Sequence, residues 1–197
     1  MAYNNLAELF KAIADAIRGK TGGADPIVAN DFPTAIEGIS GGEADHSMED
    51  GLISGTITEY RNDRVESVAD YAFYNNATLE RITLPNVKTI AERAICSVEK
   101  LKILELGNVT SAASDTIMNC SELEYVVLRA ETVGMDKYDF RNIKCKLLVP
   151  RSLKDGFASA MLDIAQTTGS TITVLALEDY TVDGTITGEL DLTKMGL

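Results

Sequence analysis

The chain has 197 residues, 45% of them hydrophobic, and carries 18 basic against 30 acidic side chains for a net charge of −12. That length accommodates one mid-sized domain and a smaller one, and that apolar share supports a buried core. The charge disfavours nucleic acid and anionic lipid as partners, since both reward clustered Lys and Arg, and no run reaches the roughly 18 apolar residues of a membrane helix.

The opening Met1-Ala2-Tyr3-Asn4-Asn5 lacks the basic start and apolar stretch of a secretion signal, so synthesis and retention in a cytosol are expected. Residues 4–18 follow as an amphipathic helix, with Leu6, Leu9, Phe10, Ile13 and Ile17 on one face. Asn4 or Asn5 can cap its start and Gly19 its end. A second short helix is predicted from about Phe32 to Ile39, with Ile36 and Ile39 turned toward the first. Two such helices bury little surface alone. Residues 1–41 therefore read as an anchoring or oligomerisation module, with Leu6, Phe10, Ile13, Ile17, Phe32 and Ile36 as its contact residues. A small local core made by the same side chains is the plainer alternative. Residues 42–54, within a Gly-rich acidic stretch, read as a linker.

Internal periodicity dominates the middle of the chain. Segments 65–86, 87–108 and 109–130 align without gaps at a spacing of 22 residues. Six apolar columns repeat: Val65/Val87/Val109, Val68/Ile90/Ala112, Phe73/Ile95/Ile117, Leu79/Leu101/Leu123, Ile82/Leu104/Val126 and Leu84/Leu106/Leu128. This period falls in the range of leucine-rich repeats. One unit cannot bury its apolar face alone, so neighbours must stack. The end of each unit, as in Leu79-Glu-Arg-Ile-Thr-Leu84, alternates as a strand does, and stacking gives a parallel ladder. The stretch Val68 to Phe73 reads as a turn or short helical piece behind it. Gly55 to Tyr60 is expected as a capping strand. A degraded fourth unit over 131–150 ends in Leu147-Leu-Val149-Pro150, one residue early.

Residues 151–166 read as a helix with Leu153, Phe157, Ala160, Met161 and Ile164 on one face, placed to close the open end of the repeats. Thr171 to Leu177 reads as a strand, and Asp183-Gly184 as a hairpin turn in the tail. The expected fold class is α+β. It comprises a small helical module, a short leucine-rich-repeat solenoid over 55–150 with a parallel strand ladder, and a C-terminal helix and β tail over 151–197.

Catalytic and cofactor motifs are absent from the sequence. The one histidine, His46, lies in the acidic linker without converging partners. No P-loop, GxSxG, HExxH or calcium-loop spacing occurs, and Gly19, Gly22 and Gly23 lack the Lys-Ser/Thr of a phosphate cradle. Carboxylates such as Glu43, Asp45, Glu49 and Asp50 read as a solvated acidic surface. Around Asp179, Asp183 and Glu189 the same reading outweighs a calcium site. Cys96, Cys120 and Cys145 form no CxxC pair and read as small apolar side chains. The glycosylation patterns at Asn76, Asn108 and Asn119 read as chance matches at turns. The expectation is a non-enzymatic protein with no cofactor and no metal.

The alternation that turns Ile82, Leu104 and Val126 inward turns their neighbours outward. Arg81, Thr83, Ile103, Glu105, Tyr125 and Val127 thus form the outer row of the ladder, and the sequence reads them as a candidate interaction face. A row holding Ile103, Tyr125 and Val127 is more apolar than a solvated sheet needs. It is either an interface or a surface over which a terminal segment of the same chain folds.

The run Val68-Ala-Asp-Tyr-Ala-Phe73-Tyr-Asn-Asn-Ala-Thr-Leu79-Glu-Arg-Ile82-Thr-Leu84-Pro85 resembles the BspA-type leucine-rich repeat of bacterial surface proteins. In the second and third units Ile95 and Ile117 replace the Phe of that pattern. The opening Asn5-Leu-Ala-Glu-Leu-Phe10-Lys-Ala-Ile13-Ala-Asp-Ala-Ile17-Arg with Asp31-Phe-Pro33-Thr-Ala-Ile36 is similar to the first module of tail-associated proteins of phages of Gram-positive bacteria. Leu148-Val-Pro150-Arg-Ser-Leu153-Lys-Asp-Gly-Phe157 and Tyr180-Thr-Val-Asp-Gly-Thr-Ile-Thr-Gly188 resemble parts of the same group. The resemblance implies a virion component at the tail tip, baseplate or fibre, assembled in the host cytoplasm. Its partners would be other virion proteins or a host-surface protein or glycan, with homo-oligomerisation giving avidity. A bacterial cell-surface adhesin is the alternative implied by the repeats alone.

Overall fold

The computed structural model describes residues 55–130 and 134–197. The two expected N-terminal helices, the linker and the contact residues Leu6, Phe10, Ile13, Ile17, Phe32 and Ile36 lie outside the described residues.

The described chain is a solenoid of parallel strands. In chain order these are β1 Glu59–Arg61, β2 Ser67–Val68, β3 Arg81–Leu84, β4 Thr89–Ile90, β5 Ile95–Cys96 and β6 Ile103–Leu106. There follow β7 Ser111–Ala112, β8 Ile117–Met118, β9 Tyr125–Leu128, β10 Phe140–Arg141, β11 Lys144–Val149 and β12 Thr171–Ala176. They form three ladders. The main sheet has the order β1-β3-β6-β9-β11-β12, and two three-stranded ladders, β2-β4-β7 and β10-β8-β5, run behind it. The register sets Tyr60, Ile82, Leu104, Val126, Leu147 and Val174 side by side. The inward columns read from the sequence fill the space between the ladders. Leu79, Ile82, Leu84, Leu101, Leu104, Leu106, Ile117 and Val126 are all fully buried. Each such side chain stabilises by about 1.5–3 kcal/mol.

Three local readings are sharpened. The first concerns the stretch after Val68, expected as a turn or short helical piece: it is a turn, and its backbone pairs one repeat away, as in Phe73 N–H donating to Ala94 O at 2.9 Å. Left-handed corners at Tyr71 (φ 58°) and Asn75 (φ 56°) interrupt any helical run, and identical turns stacked in register offer the backbone a partner instead. Second, the expected capping strand is β1, which ends the main sheet with Tyr60 opposite Ile82. Third, the early fourth unit has a structural origin. In the back ladder Phe140 pairs with Ile117, 23 residues away, whereas in the main sheet Leu147 pairs with Val126, 21 away. The unit gains a residue before the back corner and loses two after it, so it still reaches the ladder.

Residues 151–166 close the end as expected but in pieces. A 3-10 turn Arg151–Leu153 leads into α1 Lys154–Ala160, and α2 Ile164–Thr168 follows after a break, ending at left-handed Gly169 (φ 72°). Phe157, Met161 and Ile164 join the main core. Strand β12 then extends the main sheet beside β11. The tail does not make a two-residue hairpin at Asp183-Gly184. Asp183 Oδ1 instead accepts from the Thr185 N–H and hydroxyl, both at 2.9 Å, and the loop closes wider, at an antiparallel bridge between Thr181 and Leu190.

The outer row of the main sheet is not exposed. The turn Leu177–Tyr180, the loop after it and α3 Leu192–Met195 fold over it. Leu177, Leu190 and Met195 pack on Ile103, Tyr125, Val127 and Leu148 as a second core. Tyr125 and Val127 are 0% exposed and Ile103 is 6% exposed. The Tyr125 hydroxyl donates to Met195 O and accepts from Lys146 Nζ at 2.8 Å.

Two outcomes follow. Gly107 lies so close to the previous rung that a Cβ there would sit 1.5 Å from Pro85 O. Gly107→Ala should therefore lower stability by about 3 kcal/mol or more, read by chemical denaturation. Tyr125→Ser empties a buried ring position and removes the tie to Met195, so it should cost about 3–5 kcal/mol. A substitution at a solvent-facing site would leave the denaturation midpoint nearly unchanged.

Candidate functional site

The six residues read from the sequence as an interaction face are brought together, but five of them are buried, Ile103, Tyr125 and Val127 against the tail. Besides Ile103, Tyr125 and Val127, Thr83 is buried and Glu105 is 6% exposed. Glu105 joins two rungs: its Oε2 accepts from Arg81 Nη2 at 3.3 Å and its Oε1 from Arg129 Nε at 2.7 Å. Arg129 also donates to Ile186 O at 2.6 Å and Gly188 O at 2.9 Å, which ties the tail loop down. The apolar excess on this row is thus explained by the segment that covers it. Of the expected open interaction face, Ile103, Tyr125 and Val127 are corrected to a fold-internal contact with the tail, Thr83 and Glu105 are buried, and Arg81 stays partly exposed.

The surface left open lies on the back of the solenoid. Two corner positions recur with positive φ. One column holds Asn75, Ser97, Asn119 and Asn142, the other Tyr71, Arg93 and Asp115. Asn readily takes this left-handed conformation, because its short side chain bonds locally. Tyr and Arg gain nothing comparable, and bulky side chains there are unusual. The second column therefore carries large functional groups at a backbone cost that Gly or Asn would avoid.

Those groups form a continuous ridge. Tyr71 and Tyr74 are 47% and 55% exposed, with ring centroids 5.6 Å apart at 89°. Arg93 Nη1 donates to the Tyr71 hydroxyl at 2.8 Å. On the next rung, Asp115 Oδ1 accepts from Arg141 Nε at 2.6 Å. Tyr138, 48% exposed, completes the ridge with Lys137 Nζ 5.3 Å from its ring centre. The ridge spans four rungs, roughly 15 Å at sheet spacing. Apolar periodicity could not find it, since its residues belong to none of the six columns. The signal was present in the aromatic pair flanking Phe73, where a solvated turn needs none.

Reactive chemistry finds little footing. Cys120 and Cys145 are buried, and burial pushes their thiols up to about 11 and about 12, which keeps them protonated and inert. Among the described residues no group of three or more His, Cys, Asp or Glu is arranged to hold a metal ion, and no helix is long and apolar enough to cross a membrane. Asp139 is the one buried carboxyl with a large shift among them. Burial pushes it up to about 7, against the Asp136 N–H that it accepts at 2.6 Å. It closes its own 3-10 turn in a reciprocal cap with Asp136.

The folded Asp139 keeps a proton that an unfolded Asp loses near pH 4. Its effect on stability is therefore a loss as pH rises from 4 to 7. Asp139→Asn should be more stable than the parent at pH 8 and equal to it near pH 4, a difference that thermal melts at the two pH values measure.

The family model described as BspA type leucine rich repeat region (6 copies) matches residues 56–154, half of the chain. No curated protein sequence matches the chain, and no solved structure does. The matched span coincides with the stacked turns from β1 to the start of α1. That span holds the inward Leu and Ile columns and the main-sheet strands β1 to β11, and the chain belongs to the BspA-type leucine-rich repeat family.

Proposed function

We propose that this chain is a non-catalytic binding protein whose solenoid presents the Tyr71–Tyr74–Arg93 ridge to a protein partner. The observation that carries the reading is the contrast between the two corner columns. Bulky Tyr71 and Arg93 hold the strained conformation where the other column uses Asn and Ser. Local strain tolerated by the surrounding structure is a mark of functional positions. Tyr and Arg are also the residue types that dominate binding energy at protein interfaces. The stacked rungs fix the ridge, so little ordering entropy is lost on binding.

The finer assignment is a phage virion component at the tail tip, baseplate or fibre, which recognises a host envelope protein or joins a virion neighbour. It rests on the resemblance of residues 5–36, 148–157 and 180–188 to tail-associated proteins. The repeats suit a bacterial cell-surface adhesin equally well. Both readings use the same ridge, and several copies on one particle or cell would give the avidity that a single small face lacks.

The test is binding of the labelled full chain to Gram-positive cells, with and without protease treatment of the cells. Tyr71→Ala with Tyr74→Ala should weaken binding about 30-fold or more, and leave the melting temperature within a few degrees. Protease treatment should abolish binding. Undiminished binding by the double variant would remove the ridge, and binding that survives protease would remove the protein partner. Gold-labelled antibody on particle tails or on bacterial surfaces separates the two settings.

A further inference from the structure

The turn that carries the last member of the tyrosine ridge is closed by a buried acid. It is the 3-10 turn Lys137–Asp139, in which Tyr138 is exposed and Asp139 is 4% exposed. Asp139 Oδ2 accepts from the Asp136 N–H at 2.6 Å, and Asp136 Oδ1 accepts from the Tyr138 N–H at 2.7 Å. A further bond ties the turn to the rung before it, from the Asp115 N–H to Tyr138 O at 2.8 Å. The place of Tyr138 on the ridge therefore depends on the cap that Asp139 makes.

The charges around Asp139 do not suit a carboxylate. Asp136 on its own turn and Asp115 on the preceding rung are both acids, and both oppose its ionisation. The nearby cations are committed elsewhere. Lys137 Nζ holds both oxygens of Asp163, just ahead of α2, at 2.6 and 2.7 Å. Arg141 Nε, on β10, holds Asp115 Oδ1 at 2.6 Å. Helix α2 itself, Ile164-Ala-Gln-Thr-Thr168, brings no charge. Burial and like charges disfavour the ionised form, and the Asp136 N–H alone favours it. The balance keeps the proton on Asp139 up to about pH 7.

We infer that Asp139 is a proton-operated latch on one end of the ridge. Protonated, it holds the turn closed and Tyr138 in place; ionised, it is drawn to water, and the turn opens and takes Tyr138 and Lys137 with it. The inference rests on the reading of the ridge as the binding surface. It makes that surface complete in mildly acidic surroundings and shorter by its fourth rung in neutral ones. Opening is favoured because the acid returns in water to an ordinary carboxylate, which ionises near pH 4. Between that value and about pH 7 the opening constant rises about ten-fold per pH unit, and above it levels off. Tyr71, Tyr74 and Arg93 lie on other turns and keep their mutual contacts.

The chain has no tryptophan, so Tyr138→Trp in the full chain puts a single reporter on the turn. Acrylamide quenching of that indole should increase as pH is raised from about 4 to about 7.5, while far-UV circular dichroism stays constant. Adding Asp139→Asn, whose amide oxygen can accept the same Asp136 N–H, should hold quenching at its low-pH level throughout. Adding Asp136→Asn instead removes a like charge and keeps an acceptor for the Tyr138 N–H, so the rise should level off at lower pH. His46→Gln, which removes the one histidine, should change nothing. No partner is present in these titrations, so the latch holds or fails apart from the ridge reading, which Tyr71→Ala with Tyr74→Ala tests. Quenching that ignores pH overturns the inference. So does a rise that persists with Asp139→Asn, one that vanishes with His46→Gln, or a loss of circular dichroism in step with the quenching.

Discussion

The structure depends on stacking identical turns in register. A single turn of 22 residues has apolar side chains on one side and unpaired backbone on both edges, and neither need can be met alone. Placing Ile82 beside Leu104 beside Val126 meets both at once, because the register that closes the core also aligns each N–H with a carbonyl one rung away. Every inward position therefore faces its own repeat, and a change in one turn is felt by two neighbours. The constraint reaches the back of the turn as well. Ser67–Val68 and Ile95–Cys96 would be loops in isolation and become strands only because the next turn repeats them. Gly107 marks where the stacking is closest, with the previous rung's backbone at Pro85 occupying the space of a side chain.

Stacking leaves one problem unsolved, which is the outer side of the main sheet. The tail solves it over the later rungs by building a second core, and Glu105 sets the boundary of that cover. A carboxylate so buried is costly unless fully paired. Here it is held by Arg81 on one side and Arg129 on the other, and Arg129 passes the connection to the tail backbone at Ile186 and Gly188. Cover and solenoid are joined by directional bonds as well as apolar contact, which fixes where the tail lies. The surface cation–acid pairs between rungs, such as Lys102 with Glu80, add little by comparison, since exposed pairs in water are worth under about 1 kcal/mol.

The six columns were legible in the sequence because burial against a repeat demands the same residue class at the same spacing. The strand ends and the capping role of residues 151–166 followed from that pattern. The state of the outer row was not legible. Alternation tells which way Ile103, Tyr125 and Val127 point, but not whether something lies on top of them. The resolving clue sat elsewhere in the chain, in Leu177, Leu190 and Met195, which have no repeat to align with. The back strands were hidden for another reason: two-residue bridges carry no periodicity, and the polar corners beside them read as turns. The ridge escaped because its residues belong to no apolar column, and the aromatic pair Tyr71 and Tyr74 beside Phe73 was the one sign of it in the sequence.

The corner columns show how such a fold separates stability from display. At Asn75, Asn119 and Asn142 the chain uses a residue suited to the left-handed turn, and Asn142 even bonds Asn119 across the rung at 3.1 Å. At Tyr71, Arg93 and Asp115 the backbone is nearly the same, yet the three side chains differ in size, charge and polarity. The core tolerates that variety because none of these side chains belongs to the buried apolar columns, and they bond one another or a neighbouring rung at the surface instead. The surroundings over-determine the backbone, since Phe73 N–H and Asn75 N–H are bound to carbonyls of the next turn at 2.9 and 3.0 Å. Strain at the corner is therefore carried by the ladder on either side of it. A repeat built this way can change the residues it shows without changing the turn that shows them. That is the physical reason to look for recognition at the Tyr71 column and for stability in the Leu and Ile columns behind it.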